Sequence, residues 1–317
     1  MSIGEKLQSL PKWILFLCLI VTASVLQFFN IPLPNKPQDP AIDYYAFAMS
    51  IPPGSTVLVS SDWTNSTHGE SGPQFDALMR ILMRRNIKFA VYTTADGQAP
   101  QVAKDEIRRL NEQRVKDGER PYRPFEDYVM VGYFPSAEGE NLAMSINLRS
   151  AFAGKKDFPE GAKEPVDIWQ SPVLKDIKDI SDVKALFLIS ASNTDQIIIE
   201  RLAAKVPLVY AVTGISAPQN FNYYSSGQLK GLVGGLKGIY DLEYLMTSGV
   251  NHPGADGKIA VASTRVPGDV PPLPGRNQGL GTAYFPTLHA ALALMILAII
   301  IGNVGMFMAR KAQGASK

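Results

Sequence analysis

Asp62, His68 and Glu70 lie close together in the stretch Ser60-Ser-Asp-Trp-Thr-Asn-Ser-Thr-His-Gly-Glu. Two carboxylates and an imidazole can form an acid–base set, with Ser60 or Ser61 as nucleophile. The same three side chains can instead ligate a metal ion. Small or polar residues also close four later apolar runs, at Thr94, at Gly132 and Tyr133, at Ser192 and Asn193, and at Thr213. No H-x-x-x-H, D-x-D or G-x-S-x-G spacing accompanies them. His68 is one of three histidines, and His252 and His289 lie far along the chain. Small polar residues suit strand ends and helix starts for purely local reasons. Structural or general ligand-contact roles are therefore preferred for Ser61, Asp62, His68, Glu70, Thr94, Ser192, Asn193 and Thr213. No catalytic residue, metal ligand or cofactor is assigned.

The elements that must position these residues alternate in type. Apolar runs at 55–60, 87–93, 128–134, 185–189 and 208–212 read as strands buried on both faces. Segments 72–85, 100–117, 138–152 and 195–204 read as helices between them. The fold class that follows is α/β, a three-layer, doubly wound, mostly parallel sheet of Rossmann-like or flavodoxin-like type. Ligands of such sheets bind beyond the carboxyl ends of the strands, where every candidate above falls. Residues 44–51 suggest a short helix docked on the domain. Residues 157–180 look irregular, and 258–263 suggest a sixth, edge strand.

Residues 217–246 hold Gly227, Gly231, Gly234, Gly235 and Gly238 at steps of three and four. Read as one helix, these glycines share an arc of roughly 100°. Each interior glycine costs a helix about 1 kcal/mol relative to alanine. A close neighbouring backbone is the simplest offset, either within the chain or in another subunit. A phosphate cradle is disfavoured, because neither G-x-x-x-x-G-K-[ST] nor G-x-G-x-x-G occurs there. Gln228, Tyr223 and Tyr224 mark the entry to that helix, with Ser225 or Ser226 as its cap.

Residues 13–29 are uncharged and apolar, at the short end of the about 17–25 residues that a membrane helix uses. A cleaved signal peptide is the rival, but the apolar run continues past Thr22-Ala23-Ser24. Residues 287–309 form a second span in which Asn303 lies between Gly302 and Gly305. Its amide either bonds to another helix or sits in the interface. Lys6 and Lys12 precede the first span, while Arg310, Lys311 and Lys317 follow the second. This bias places both termini in the cytoplasm. The expected order is a cytoplasmic terminus (1–12), a span (13–29), a linker (30–52) and an extracytoplasmic α/β domain (53–249). An extended return (250–286), a second span (287–309) and a cytoplasmic tail (310–317) follow. The one cysteine, Cys18, lies in the first span, so the domain needs a conventional core rather than disulfides.

The segments Asp127-Tyr-Val-Met-Val-Gly-Tyr, Ser216-Ala-Pro and Gly227-Gln-Leu-Lys-Gly-Leu-Val-Gly-Gly-Leu-Lys-Gly resemble an uncharacterised family of prokaryotic membrane proteins. That resemblance implies one α/β domain held between two terminal spans in the cell (inner) membrane. It brings no established activity and no functional residue. A likeness to periplasmic binding-protein lobes and flavodoxin-like domains is analogy of fold.

The function expected from these features is non-catalytic: assembly or recognition, in a subunit of a larger membrane complex. The expected partners are the lipid bilayer and homo- or hetero-oligomeric membrane proteins. Nucleic acid is excluded as a partner by a net charge of +2 and the lack of a basic cluster interleaved with exposed aromatics. A small-molecule sensor or transport accessory is the alternative, and a membrane-tethered hydrolase using Asp62 and His68 a third.

Overall fold

Runs rich in valine, isoleucine and aromatic residues, too short to make stable helices, pair into one sheet. The computed structural model describes residues 11–29, 31, 37–192, 194–248, 250–253, 259–262 and 278–314. It divides into a unit of residues 36–277 and a second unit joining 1–35 with 278–317. The elements begin with α1 (Lys12–Leu26), α2 (Asp39–Ser50), β1 (Thr56–Asp62), α3 (His68–Arg84) and β2 (Lys88–Thr93). Next come α4 (Ala99–Lys116), β3 (Tyr128–Tyr133), α5 (Ala137–Ile146), α6 (Leu148–Ala151) and the short strands β4 (Lys156–Asp157) and β5 (Val166–Asp167). Then follow β6 (Leu186–Ser190), α7 (Asp195–Leu202), β7 (Leu208–Val212), α8 (Ala217–Ser225), β8 (Leu229–Gly234) and α9 (Gly235–Ser248). The last are β9 (Val250–Pro253), β10 (Ile259–Ala262) and α10 (Gln278–Gly314).

The larger unit is an α/β domain on a six-stranded parallel sheet of order β3-β2-β1-β6-β7-β8. The chain winds outward from β1 to β3, returns to β6 beside β1, and winds outward again to β8. Side chains alternate between two cores. Val57, Val59, Phe187 and Ile189 meet α2, α3, α4 and α9 on one face. Leu58, Leu186, Leu188 and Tyr210 meet α5, α7 and the start of α8 on the other. Each such aliphatic side chain contributes about 1.5–3 kcal/mol on burial. The five expected strands are present with helices between them, though the helix expected over 138–152 is broken at Asn147 into α5 and α6, and α2 docks as residues 44–51 suggested.

The glycine-rich stretch is not one helix. It is α8, a turn at Gly227, the edge strand β8, and α9 beginning at Gly235. The register of β7 with β8 slips between Leu208 and Tyr210, a bulge that leaves Lys230 and Gly231 facing Val209 alone. Leu229 and Leu232 therefore share one face although three residues apart, which imitates helical spacing in the sequence. The ladder to β7 outweighs a helix that would carry several glycines. The close approach inferred from the glycines is real at most of them and lies within the chain. A Cβ on Gly231 would sit on the backbone N and Cα of Tyr44 in α2, 2.7 Å from the Tyr44 Cβ. A Cβ on Gly234 would come within 2.7 Å of Ala217, and one on Gly238 within 2.9 Å of Val233. Gly227 is different: nothing lies within 4 Å of its Cβ position.

Residues 259–262 do form a strand, but β10 pairs antiparallel with β9 in a separate two-stranded sheet. The sixth strand of the main sheet is β8, because a parallel crossover through α8 returns the chain to the open edge of β7. Residues 278–286, expected as extended, are the first turns of α10.

In the smaller unit α1 and α10 pack against each other. Residues Gly281–Arg310 of α10, with a mean hydropathy of 2.4 over their most apolar 18 residues, are long and apolar enough to cross a membrane. The apolar helix α1 is shorter, at 15 residues. Asn303 is exposed on α10, as is Cys18 on α1.

The packing at Gly231 predicts the sign of a substitution. Alanine should favour a strand by about 0.5–1 kcal/mol, but a methyl group against the Tyr44 backbone should cost about 1–3 kcal/mol or more. Gly231→Ala is expected to lower the unfolding temperature, while Lys230→Gln, at an exposed position of the same strand, leaves it unchanged. Thermal unfolding of the two variants checks this.

Candidate functional site

The winding direction reverses between β1 and β6, and the loops that leave their carboxyl ends part there. An open cleft of about 390 Å³ lies at this point, lined by Ser66, Thr67, Gly69, Glu70, Ala191, Thr213 and Ile215. Of the residues singled out in sequence, Glu70 and Thr213 line it. The Gly214 N–H donates to Glu70 Oε2 at 2.6 Å. That contact joins the first turn of α3 to the loop after β7.

Asp62 ends β1 beside Ser190 of β6 and is 2 % exposed. It accepts from Ser60 Oγ at 2.7 Å, Thr93 Oγ1 at 2.6 Å, the Thr94 N–H at 2.9 Å and the Ala95 N–H at 3.3 Å. Burial pushes its carboxyl above the usual range, and these four donors oppose that shift. The side chain therefore fastens the end of β1 to the loop after β2.

His68 turns elsewhere. Its Nε2 lies 2.8 Å from Glu106 Oε1 of α4, and its ring lies 5.8 Å from that of Trp63. Glu106 starts an ion-pair chain that runs inward. Arg109 bonds Glu106 at 2.8 Å and Asp76 at 2.7 Å, Asp76 pairs with Arg80 at 2.7 Å, and Arg80 reaches Glu243 of α9. Asp76, Arg80 and Glu243 are buried, so each needs its partner to remain charged there. Asp62, His68 and Glu70 thus serve three different partners rather than one acid–base or metal set. Among the described residues no three His, Cys, Asp or Glu side chains group as a metal site requires.

Ser61 is buried with its hydroxyl unpartnered, as is the Thr94 hydroxyl. Ser192 forms a tight turn in which its N–H donates to Ser190 Oγ at 2.9 Å. Asn193 lies outside the described residues.

Several polar groups at this end of the sheet escape a motif search. The Tyr210 hydroxyl, from the middle of β7, donates to Asp195 at the start of α7. Burial raises the Asp195 carboxyl and moves the Tyr210 hydroxyl well above its ordinary value. The Tyr92 hydroxyl of β2 is buried beside Ser60. On α5, burial pushes the Glu140 carboxyl up to about 7, against the pull of Lys155. Lys155 Nζ donates to the Tyr133 carbonyl at 2.9 Å and lies 3.8 Å from the centre of the Phe134 ring. The one sequence signal for these groups is a tyrosine inside an apolar strand, since a buried hydroxyl calls for a partner.

Compared with known proteins, the chain matches no family model, no curated protein and no solved structure.

Glu140 gives a pH-dependent expectation. Its folded pKa exceeds its ordinary value, so the folded chain holds this proton more tightly than the unfolded chain. The associated stability is fully present below pH 4.5 and is lost as pH rises to about 7. Glu140→Gln lacks that loss. The unfolding temperature of the variant should therefore gain on that of the wild type across this interval, read by thermal unfolding at stepped pH.

Proposed function

We propose that this chain is a non-catalytic two-pass membrane protein whose extracytoplasmic α/β domain recognises a ligand or partner at the cleft between β1 and β6. The observation that carries this reading is the pairing of an open cleft with acids and bases already engaged elsewhere. Asp62 is held by four internal donors, His68 pairs with Glu106 of α4, and neither is among the residues that line the cleft. The cleft lies at the lower end of the range of about 300–1,000 Å³ typical of small-molecule sites.

Recognition is favoured over assembly through the glycines, because Gly231 and Gly234 spend their close approach on Tyr44 and Ala217 of the same chain. In this reading α10 crosses the bilayer and residues 13–29 form the second span, with 1–12 and 310–317 in the cytoplasm. The charges at Lys6, Lys12, Arg310, Lys311 and Lys317 support that orientation. The resemblance to prokaryotic two-span proteins agrees with it, and a larger membrane complex is the proposed setting.

Single cysteines test the arrangement in a Cys18→Ser background. In intact cells, Ser66→Cys at the cleft should react with a membrane-impermeant maleimide, whereas Ser2→Cys and Ser316→Cys should react only after permeabilisation. Labelling of either terminus in sealed cells, or protection of Ser66→Cys, would overturn the proposed topology.

A further inference from the structure

The first helix after β1 in a doubly wound sheet ordinarily offers its N-terminal N–H groups to a phosphate. At this cleft the chain brings its own carboxylate to the mouth. Gly214 and Gly235 pack beside it. A Cβ on Gly214 would stand 3.7 Å from Glu70 Oε2, and one on Gly235 would stand 3.6 Å from the same oxygen. Gly235 also has a φ of +55°, and its Cβ position lies 2.8 Å from the Gly214 Cα, so side chains are strained or obstructed there. The Gly214 N–H, a donor that a bound anion would use, is already given to Glu70. Glu70 Oε1 accepts no hydrogen bond among the described residues.

The rest of the lining has the same chemical bias. Thr213 adds a hydroxyl oxygen, as do Ser66 and Thr67, whose hydroxyls also bond to Thr64; Ala191 and Ile215 add apolar surface, and no lysine, arginine or histidine is among the lining residues. Ile215 is 92 % exposed on the rim, free to lie along an alkyl or ring skeleton. An incoming anion would meet like charge and find its donor used. An ammonium group carries three donors and no acceptor, and would meet a fixed carboxylate oxygen with hydroxyl oxygens around it.

We propose that the cleft between β1 and β6 binds a small organic ammonium compound, its charged group on Glu70 Oε1 and its skeleton against Ala191 and Ile215, an inference that rests on the reading of this cleft as the recognition site. Glu70 is a binding residue here and performs no bond-making step.

The test uses the full chain in detergent, with glucosamine and putrescine as ammonium probes. N-acetylglucosamine serves as the uncharged match and glucose 6-phosphate as the anionic one, and binding is read by titration calorimetry and thermal shift. Glucosamine or putrescine should bind and raise the unfolding temperature, while the other two do neither. Glu70→Gln should weaken ammonium binding about tenfold or more. Its amide oxygen can still accept from the Gly214 N–H, so its unliganded unfolding temperature should match the wild type. Ser66→Trp, at an exposed lining position, should block the cleft and abolish binding without unfolding the chain. Ammonium binding unchanged in Glu70→Gln overturns the inference, and so does equal or tighter binding of glucose 6-phosphate or N-acetylglucosamine. If such binding is still lost in Ser66→Trp, only the ligand class is wrong and the cleft remains the recognition site. No binding by any probe overturns both.

Discussion

A wholly parallel sheet leaves no face for water, and the arrangement of the domain follows from that constraint. Six strands running one way require a crossover from each strand to the next along the chain, and the crossovers supply helices that bury both faces. Helices α2 and α9 are the exceptions, since α2 precedes the sheet in sequence and α9 follows its last strand, and each covers part of one face without connecting two strands. Because the chain winds outward twice from the centre, the helices after β1 and β6 lie on opposite faces. The loops leading into them part at the carboxyl end, and the cleft is what that reversal leaves open.

Glycine performs two jobs around this frame. At Gly231 it lets the backbone of α2 lie directly on β8, where any side chain would hold the two apart. At Gly235 it lets the start of α9 and the loop after β7 come together beside the Glu70 carboxylate. Close packing of this kind is rigid, since interiors pack at nearly crystalline density and yield little to added volume. The Gly214 N–H then orients the Glu70 carboxylate at the cleft.

The buried polar groups divide by how they offset desolvation. Asp62 keeps four donors and ties β1 to β2, whereas Arg80 is held between Asp76 and Glu243 and ties α3 to α9. Both are structural uses of charge, in which removal of one partner leaves a costly unpaired group. At Glu140 burial is countered only by Lys155, and the carboxyl rises to about 7. These differences separate the groups that hold the fold from Glu70, whose carboxylate has one oxygen left for the cleft.

Short apolar runs between charged helical segments were enough to read five strands, four helices and the α/β class, since periodicity and length are local properties of the chain. The apolar stretch at the C-terminus is equally legible, because length and apolar composition are local properties of the chain. Gly231 announced a close neighbour but not its identity. That Gly227 to Gly238 form a turn, a bulged edge strand and a helix start depended on β7 offering an unpaired edge, a non-local ladder that outweighs helical spacing. Asp62, His68 and Glu70 looked like one set because sequence reports separation along the chain. Which way each side chain turns was set by Thr93, Glu106 and Gly214, residues brought close only when the sheet and its helices pack.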